Sequence, residues 1–464
     1  MARLALALLA TACSGGGGGE TPLPRAGQRD VLLVVVDTLR ADHLGCYGYA
    51  LPTSPVVDRL ADEGALFERV VSASAFTGPS VASILTGRYP RFHSFGVANG
   101  NFLLAPEEVT LAEQFREAGY RTAAVVCNPV LPRRLGFDQG FEEYDHRMKQ
   151  REQVRRARER IAAPATTAAI EWLEGVGPDE AFFLWLHYMD PHGPYTPPPE
   201  LEAAFAPAEA GPALLPPPDE GANNGRGFVP WYQAVSEEHH LNEYVGRYDG
   251  EIAYMDRELG RLLDALRAMG RYEETLIVFT SDHGEALGED GYYFCHGQHT
   301  TPDQSFVPMV VKHPLIPAGA RVTSPVSHVD VYRTLMAELT DDARPSGFED
   351  PLDLVLAARE EARSRALYCD RGRELSVYAD DLVLTTRIRG GEAGTAGPKD
   401  MLDSTLLQWS DPEGAAPDPP PDVEAALIDI ARDYLLQPPL GRIRLEGDDE
   451  ELRSALEALG YAGD

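Results

Sequence analysis

Positively charged residues are scarce in this chain of 464 residues. Lysine and arginine together number 41, against 73 aspartates and glutamates, which gives a formal net charge of -32. This excess of negative charge argues against nucleic acid or an anionic membrane surface as a main partner. Hydrophobic residues make up 44% of the chain, enough for a sizeable core, and the length favours one large domain with a smaller one.

Cysteine is equally scarce, with five residues in the whole chain. Four of them are far apart in sequence and match no zinc-binding motif: Cys46, Cys127, Cys295 and Cys369. We expect these four to be buried free thiols, with a disulfide as the alternative if the protein leaves the cytoplasm.

The fifth cysteine follows a short apolar run. Leu4 to Leu9 is too short to cross a bilayer but suits the core of a signal peptide. The small residues before Cys13 resemble a bacterial lipobox, although Ala10 stands where a larger aliphatic residue is usual. We predict a signal peptide over 1–12 and a lipidated Cys13 with a Gly-rich tether over 13–29. The protein would then be an exported cell-envelope lipoprotein, periplasmic or outer-membrane anchored, held at the membrane by its lipid only; plain secretion or a retained anchor is the alternative.

The rest of the chain alternates between strand-like and helix-like patterns. Residues 30–36 read D-V-L-L-V-V-V, an apolar, β-branched run typical of a strand buried on both faces. Further strands are predicted at 122–127, 181–186, 275–280 and 307–311, and helices at 54–63, 110–118 and around 248–269. Such alternation predicts an α/β fold with a large, mainly parallel sheet flanked by helices.

The pattern changes toward the C-terminus. Short alternating segments near 375–389 predict a small antiparallel sheet, followed by a helix near 423–436. We therefore predict a catalytic domain over 30–345 and a C-terminal subdomain over 346–464. Residues 194–235, rich in Pro and Gly, predict a long surface loop or lid, and the basic stretch 147–160 is interpreted as a solvated helix face.

Chemically active side chains follow three of the predicted strands. Asp37 follows the first strand, Asp282 and His283 follow 275–280, and the segment His187–His192 follows 181–186. Because ligands bind beyond the carboxyl ends of parallel strands, we expect these carboxylates and imidazoles to converge, where they could hold a metal. One aspartate after a strand is often only a helix cap, but three such loops together favour a metal site.

A hydroxyl group is predicted beside that site. Thr77 lies just before a helical segment in which Pro79 suits the first turn. Helix N-termini attract anions, and a hydroxyl next to a metal can be deprotonated and act as a nucleophile. A simple capping role for Thr77 is the alternative, and the two roles are compatible.

Six segments carry a resemblance to a known family. They are V-D-T-L-R-A-D-H-L-G-C-Y-G-Y (36–49), T-S-P-V-V-D-R-L-A-D-E-G-A-L-F (53–67), P-S-V-A-S-I-L-T-G-R-Y-P (79–90), A-G-Y-R-T-A-A-V (118–125), D-P-H-G-P-Y (190–195) and S-D-H-G-E-A-L-G-E (281–289). In this order they resemble the sulfatase family of the alkaline phosphatase superfamily, strongly over about residues 30–340. The resemblance implies an alkaline-phosphatase-like α/β sandwich, ester hydrolysis and one divalent metal, with Ca²⁺ as the family default.

The resemblance also implies roles for individual residues. Asp37, Asp282 and His283 match metal ligands, and Thr77 falls beside them where sulfatases place the cysteine or serine that is oxidised to formylglycine. His192 would contact the ester. His296 would bind the anion or protonate the leaving oxygen.

Departures from the family pattern bear on the chemistry. Threonine cannot become formylglycine, because its oxidation yields a ketone, and Val81 replaces the motif arginine. Thr38 stands where many sulfatases have a second metal-binding aspartate, which leaves Zn²⁺ or Mn²⁺ open beside Ca²⁺. Asn128 replaces a segment that contains lysine and histidine, and would offer the ester a neutral hydrogen-bond donor.

Three functions remain open on this basis. The first is metal-dependent hydrolysis of a sulfuric or phosphoric ester of a small molecule, glycan or lipid head group, with unmodified Thr77 as the nucleophile. The second is a threonine-nucleophile phosphodiesterase or phosphotransferase acting on envelope material, and the third is a catalytically silent fold that binds an anionic ligand. The complete metal set argues against the third, whereas Val81 and the missing lysine favour it. Threonine favours phosphorus over sulfur, because a threonine sulfate has no easy route of breakdown.

We predict that the mature chain begins at a lipidated Cys13. Intact-mass measurement of protein extracted from membranes should show the mass of the chain from residue 13 plus a lipid, and Cys13→Ala should abolish that added mass. A mature N-terminus elsewhere, or a soluble and unmodified form, would contradict the prediction.

Overall fold

A strand that is apolar along its whole length lies inside the main sheet. In the computed structural model this strand, β1, covers Val31–Val36, and all six side chains are buried. The structure describes residues 28–93, 95, 102–151, 158–234, 238–339, 352–358, 365–379, 381–389, 398–408, 411–415, 421–437 and 443–444. The predicted signal peptide and Cys13 lie outside these residues. Within them, no helix combines the length and the apolar character that a membrane crossing requires.

Eight strands form the main sheet. After β1 they are β2 (Ala65–Phe67), β3 (Arg121–Val126), β4 (Glu143–Asp145), β5 (Phe182–Tyr188), β6 (Leu276–Ser281), β7 (Met309–Lys312) and β8 (Ala320–Val322). Their order is β8-β2-β7-β6-β1-β5-β3-β4. All neighbouring pairs are parallel except those that involve β7, which runs antiparallel to β6 and to β2. The predicted strands and the mainly parallel sheet are confirmed.

Helices flank this sheet in two groups. The first group packs together and consists of α1 (Pro55–Glu63), α4 (Ala162–Glu174) and the long α5 (Leu241–Ala268). The second consists of α2 (Thr77–Thr86), α3 (Leu111–Glu117) and α6 (His328–Ala337). The predicted capping box of α3 is present, since the Thr110 hydroxyl accepts from the Glu113 N–H and the Glu113 carboxylate accepts from the Thr110 N–H.

The C-terminal part contains a second, antiparallel sheet of five strands, as predicted. These are Leu367–Asp370, Glu374–Ala379, Leu382–Ile388, Met401–Gln408 and Asp411–Ala415. Helix α7 (Pro421–Leu436) packs against this sheet. Apolar side chains of the sheet and of α7 also pack against the segment 71–75 of the main domain, which leads directly into α2.

Shorter elements connect these units. The short strands are Val70–Val71, Phe102–Leu103, Gln150–Arg151, Arg158–Glu159, Ala286–Leu287, Tyr293–Cys295, Val326–Ser327 and Ile443–Arg444, and the short helices are Pro199–Ala204, Pro302–Ser305 and Leu354–Ala357. Residues 194–234 are mostly irregular, in agreement with the predicted loop. The four cysteines that the structure describes are free thiols.

The helix predicted over 147–160 is wrong for the residues described there. Gln150–Arg151 and Arg158–Glu159 instead form an antiparallel strand pair. Asp145 explains the difference, because its carboxylate pairs with Arg147 at 2.6 Å and with Arg160 at 3.2 Å and so draws the two ends of the basic stretch together.

An aspartate from another helix caps α1. Ser54 occupies the N-cap position without a capping hydrogen bond, whereas the buried Asp256 of α5 accepts the N–H groups of Val56 and Val57, both at 2.9 Å. We expect Asp256→Ala to lower the free energy of unfolding by about 1–2 kcal/mol, because these N–H groups lose their acceptor. Urea denaturation would measure the change.

Asp264→Ala is the matched control for this prediction. Asp264 lies on the same helix with a side chain that is 77% exposed and pairs only with Arg267 among the described residues. Its removal should change stability by no more than about 0.5 kcal/mol. Equal effects of the two substitutions would refute the capping role of Asp256.

Candidate active site

Two buried aspartates lie side by side where β1 and β6 end. Val36 and Ser281, the last residues of these strands, are register partners, so Asp37 and Asp282 follow at the same edge of the sheet. Both side chains are fully buried. Within the described part of the chain, Asp37 Oδ1 and Asp282 Oδ2 have no hydrogen-bond partner. Buried carboxylate oxygens of this kind suit a cation.

Two histidines approach this carboxylate pair. His283 Nε2 lies 3.8 Å from Asp37 Oδ1 and 3.6 Å from Asp282 Oδ2. His187 Nε2 lies 3.9 Å from an oxygen of each aspartate, and the ligand atoms of Asp37, His187 and Asp282 all lie within 4.8 Å of one another. These separations are slightly wider than the roughly 3.3 Å between ligands of a tetrahedral zinc site with bonds of about 2.0 Å. Asp37, His187 and Asp282 could therefore hold a divalent cation, and His283 lies next to both carboxylates.

The electrostatics of the cluster favour a bound cation. Burial and the charge of Asp282 raise the pKa of Asp37 well above its ordinary value. Burial also acts to raise the pKa of Asp282, but His283 and His187 outweigh it and hold that pKa below its usual range. Burial lowers the pKa of His283 to about 4, so this imidazole is neutral at pH 7. Its Nδ1 donates to the Gly284 carbonyl at 2.9 Å, which leaves the Nε2 lone pair for a metal.

Thr77 stands at the edge of this cluster. Helix α2 begins at Thr77, with Phe76 in the capping position. The Thr77 hydroxyl lies 3.2 Å from His283 Nε2. A β-carbon on the following residue, Gly78, would lie 2.5 Å from the Phe95 ring, so only glycine fits there. The hydroxyl is thus held at a helix N-terminus and next to the predicted metal ligands, as the sequence predicted.

The turn after β1 contains a strained backbone conformation next to the site. Thr38 has a φ of 56°, a left-handed conformation that is an outlier for a β-branched residue. Its N–H donates to Asp282 Oδ1 at 3.2 Å, and its carbonyl accepts from the Tyr248 hydroxyl at 2.7 Å. The surrounding bonds therefore hold the conformation, and backbone strain of this kind is concentrated at functional sites.

The remaining predicted residues are also part of this site. The His296 ring lies 4.5 Å from the His283 ring and 5.0 Å from the His192 ring. Asn128 donates from Nδ2 to Asp37 Oδ2 at 2.6 Å and accepts the Val130 N–H on Oδ1 at 2.9 Å, so it holds Asp37 in place. A contact between Asn128 and the ester stays a prediction.

The sequence did not single out two residues of the site, since His187 was expected at this edge only as part of the segment His187–His192 and Glu285 was given no role. The H-Y-M-D-P-H segment was assigned to a loop, but β5 extends to Tyr188, and His187 is a fully buried strand residue. A single histidine in the otherwise apolar F-F-L-W-L-H-Y was the available signal. Glu285 is also buried, and its Oε1 lies 3.1 Å from His296 Nδ1. Glu285 follows His283 by only two residues. The sequence around it does not distinguish it from an acidic residue on the surface.

The residue at the position of the motif arginine faces elsewhere. Val81 is 1% exposed and belongs to the main hydrophobic core. An arginine could not occupy that environment without an unpaired buried charge. The absence of an arginine at this position therefore follows from the way α2 packs against the core. Val81 is not a simple replacement of an exposed arginine.

The chain is similar in sequence to known proteins over most of its length. The profile of the family described as Sulfatase matches residues 29–340. Iduronate 2-sulfatase of Homo sapiens is 30% identical over 321 residues, which are 56% of this chain and 56% of the relative. The Escherichia coli K12 protein described as the uncharacterized sulfatase YidJ is 26% identical over 370 residues, 71% of each chain. This chain spans just over half of the length of the human and Mus musculus iduronate 2-sulfatases.

Solved structures with the same fold confirm the predicted architecture. One, a complex with its substrate D-glucosamine-2-N,6-O-disulfate, matches with a TM-score of 0.69 at 18% identity and covers 89% of this chain and 99% of its own. The phosphonate monoester hydrolase of Agrobacterium radiobacter matches with a TM-score of 0.66 at 20% identity, with coverages of 88% and 95%. At these identities the likeness establishes the fold.

We predict one divalent ion per chain at this cluster, because a dication relieves the repulsion between the two buried aspartates. Elemental analysis after reconstitution should show one equivalent, and chelation should lower the unfolding temperature, since the ion binds only the folded state. Asp282→Asn should lose most of the bound ion, whereas Asp264→Asn on the surface should keep it. Absence of metal after reconstitution would contradict the prediction.

Proposed function

The chain belongs to the sulfatase family of the alkaline phosphatase superfamily, and we propose that its unmodified Thr77 is the nucleophile of a metal-dependent ester hydrolase. The observation that carries this proposal is the position of the Thr77 hydroxyl, 3.2 Å from His283 Nε2 at the N-terminus of α2. The same hydroxyl would face both the anionic ester and the bound cation.

We further propose that phosphate or phosphonate esters react faster than sulfate esters. Threonine cannot supply the formylglycine hydrate of sulfatases, and Val81 removes a positive charge that sulfatases direct at the sulfate. A phosphothreonine can be hydrolysed by water, whereas a threonine sulfate has no comparable route. The fold itself is compatible with this chemistry, because a phosphonate monoester hydrolase shares it.

The chain's own residues would act in the following way. The ionised Thr77 oxygen attacks phosphorus, the bond to the leaving oxygen breaks, and the electron pair of that bond goes to the leaving oxygen. His296 donates a proton to this oxygen, and the His192 ring, 5.0 Å from the His296 ring, would contact the ester. A divalent ion bound at the cluster would favour ionisation of the Thr77 hydroxyl and offset the charge of the ester. A water oxygen then bonds to phosphorus and the bond between phosphorus and the Thr77 oxygen breaks, with its electron pair returning to that oxygen. The proton lost by the water goes to His296, which restores the proton donor.

The ligand set also bears on the identity of the metal. Ca²⁺ is the family default, but Ca²⁺ prefers oxygen ligands alone. Here two imidazoles, His187 and His283, flank Asp37 and Asp282, and Thr38 offers no carboxylate. Imidazole ligands suit Zn²⁺ better than Ca²⁺ or Mn²⁺, and we therefore propose zinc. Competition between Zn²⁺ and Ca²⁺ for the apoprotein would test this.

For the substrate we propose an anionic ester of a small molecule, a glycan or a lipid head group. The support comes from related proteins, which include iduronate 2-sulfatase and the structure solved with a glucosamine disulfate. A lipid anchor at Cys13 would bring such a site to the cell envelope.

We predict that Thr77→Ala reduces kcat by roughly 10³-fold or more, because nucleophile loss removes the covalent route. Thr77→Ser should retain a measurable part of the rate, since the hydroxyl survives. The measurement is a panel of 4-nitrophenyl sulfate, phosphate monoester, phosphate diester and phosphonate monoester with Zn²⁺, Mn²⁺ and Ca²⁺.

Thr86→Ala is the matched control. Thr86 ends the same helix, is buried, and bonds only to the Ala82 carbonyl among the described residues. Its loss should leave kcat nearly unchanged. The threonine mechanism is wrong if Thr77→Ala keeps the wild-type rate, or if the unmodified protein prefers sulfate monoesters.

A further inference from the structure

A third buried acid of the site has no part in the chemistry above. Glu285 is 1% exposed, and its Oε1 lies 3.1 Å from Nδ1 of His296. Its other oxygen, Oε2, has no hydrogen-bond partner among the described residues. In that part of the chain, no lysine or arginine forms an ion pair with this carboxylate. Among the described residues, His296 is the basic side chain that pairs with it.

The loop that carries Glu285 is held without this carboxylate. The Glu285 carbonyl accepts from Arg40 Nη1 at 3.0 Å, and the Gly284 N–H donates to the Gln304 carbonyl at 2.9 Å. The guanidinium of Arg40 directs its charge to Asp42 and Glu289 instead, both at 2.7 Å. A purely structural role for the buried Glu285 charge is therefore poorly supported by its surroundings.

The surroundings also make that charge expensive without a partner. Burial, followed by the charge of Glu285, raises the pKa of both Tyr195 and Cys295, so these weakly polar side chains lie near the carboxylate. A buried carboxylate in such an environment requires a cation or a strong donor. The hydrogen bond from His296 Nδ1 meets this need and fixes which ring nitrogen carries the proton.

We propose that Glu285 is a positioning residue that keeps Nδ1 of His296 protonated and leaves Nε2 as the nitrogen that donates to the leaving oxygen. This rests on the proposed function. In the step itself, the Nε2–H bond breaks and an O–H bond forms on the leaving oxygen. The imidazolium becomes neutral, and its Nδ1–H stays hydrogen-bonded to Glu285. No proton passes to the carboxylate, whose negative charge stabilises the protonated ring before the transfer.

The test varies the leaving group, because a proton donor matters most where the leaving oxygen is basic. With the ester class that the wild-type protein turns over, we expect Glu285→Gln to lower kcat by about 10–100-fold for phenyl esters. For 2,4-dinitrophenyl esters, whose leaving oxygen needs no proton, we expect a change of less than about 3-fold. KM should change little. His296→Gln should show the same selectivity, and the double variant should lose no more than His296→Gln alone.

Glu289→Gln is the matched control, an acid four residues along that pairs with Arg40 and accepts the Leu287 N–H. Its loss should affect all leaving groups alike. A uniform effect of Glu285→Gln, no effect, or full additivity with His296→Gln would overturn the proposal. If Glu285→Gln does not fold, Glu285→Asp carries the test, because it keeps the charge and shortens its reach. It must show the same selective loss for phenyl esters, and a uniform loss overturns the proposal.

The outcomes separate this role from the proposed function. If Thr77→Ala keeps its activity, the threonine mechanism fails whatever Glu285 does. If Thr77→Ala is inactive and the effect of Glu285→Gln is independent of the leaving group, only the positioning role fails.

Discussion

The repulsion between two carboxylates buried side by side is the constraint on which the rest of the site depends. Asp37 and Asp282 follow neighbouring parallel strands in matched register, and neither reaches water. Uncompensated buried charge costs several kcal/mol, so the fold surrounds the pair with two imidazoles, an amide and backbone N–H groups. The strained turn at Thr38, the amide of Asn128 and the buried His187 all serve this one requirement.

Much of this arrangement could be predicted because it follows from topology. Parallel strands bring their carboxyl ends to one edge, so residues directly after a strand converge whatever their separation in sequence. Asp37 and Asp282 were found in that way, and Thr77 was found from the helix that begins beside it. The fold class could be predicted as well, because strand-like and helix-like patterns alternate along the chain.

His187 and Glu285 could not be predicted by this rule. His187 lies inside a strand whose residues are buried on both faces. Its sequence therefore does not show which face lies toward the carboxylates, and only the register with β1 decides this. Glu285 acts through His296, eleven residues away in sequence, and the hairpin that brings the two together is set by tertiary packing. The helix predicted over the basic stretch 147–160 was wrong for a similar reason. Asp145 lies outside this stretch and pairs with an arginine at each end of it.

The packing of the C-terminal sheet against residues 71–75 has a consequence for how this protein is divided. Val71 and Ala75 share an apolar cluster with Leu367 and Tyr378, and the Asp370 N–H donates to the Ala73 carbonyl at 3.0 Å. This segment leads to Thr77, the proposed nucleophile. A gene fragment ending near residue 345 would encode each predicted catalytic side chain but not the surface that supports this segment. Exchange of C-terminal modules between homologues would accordingly disturb the nucleophile, although no reacting group lies in the exchanged part.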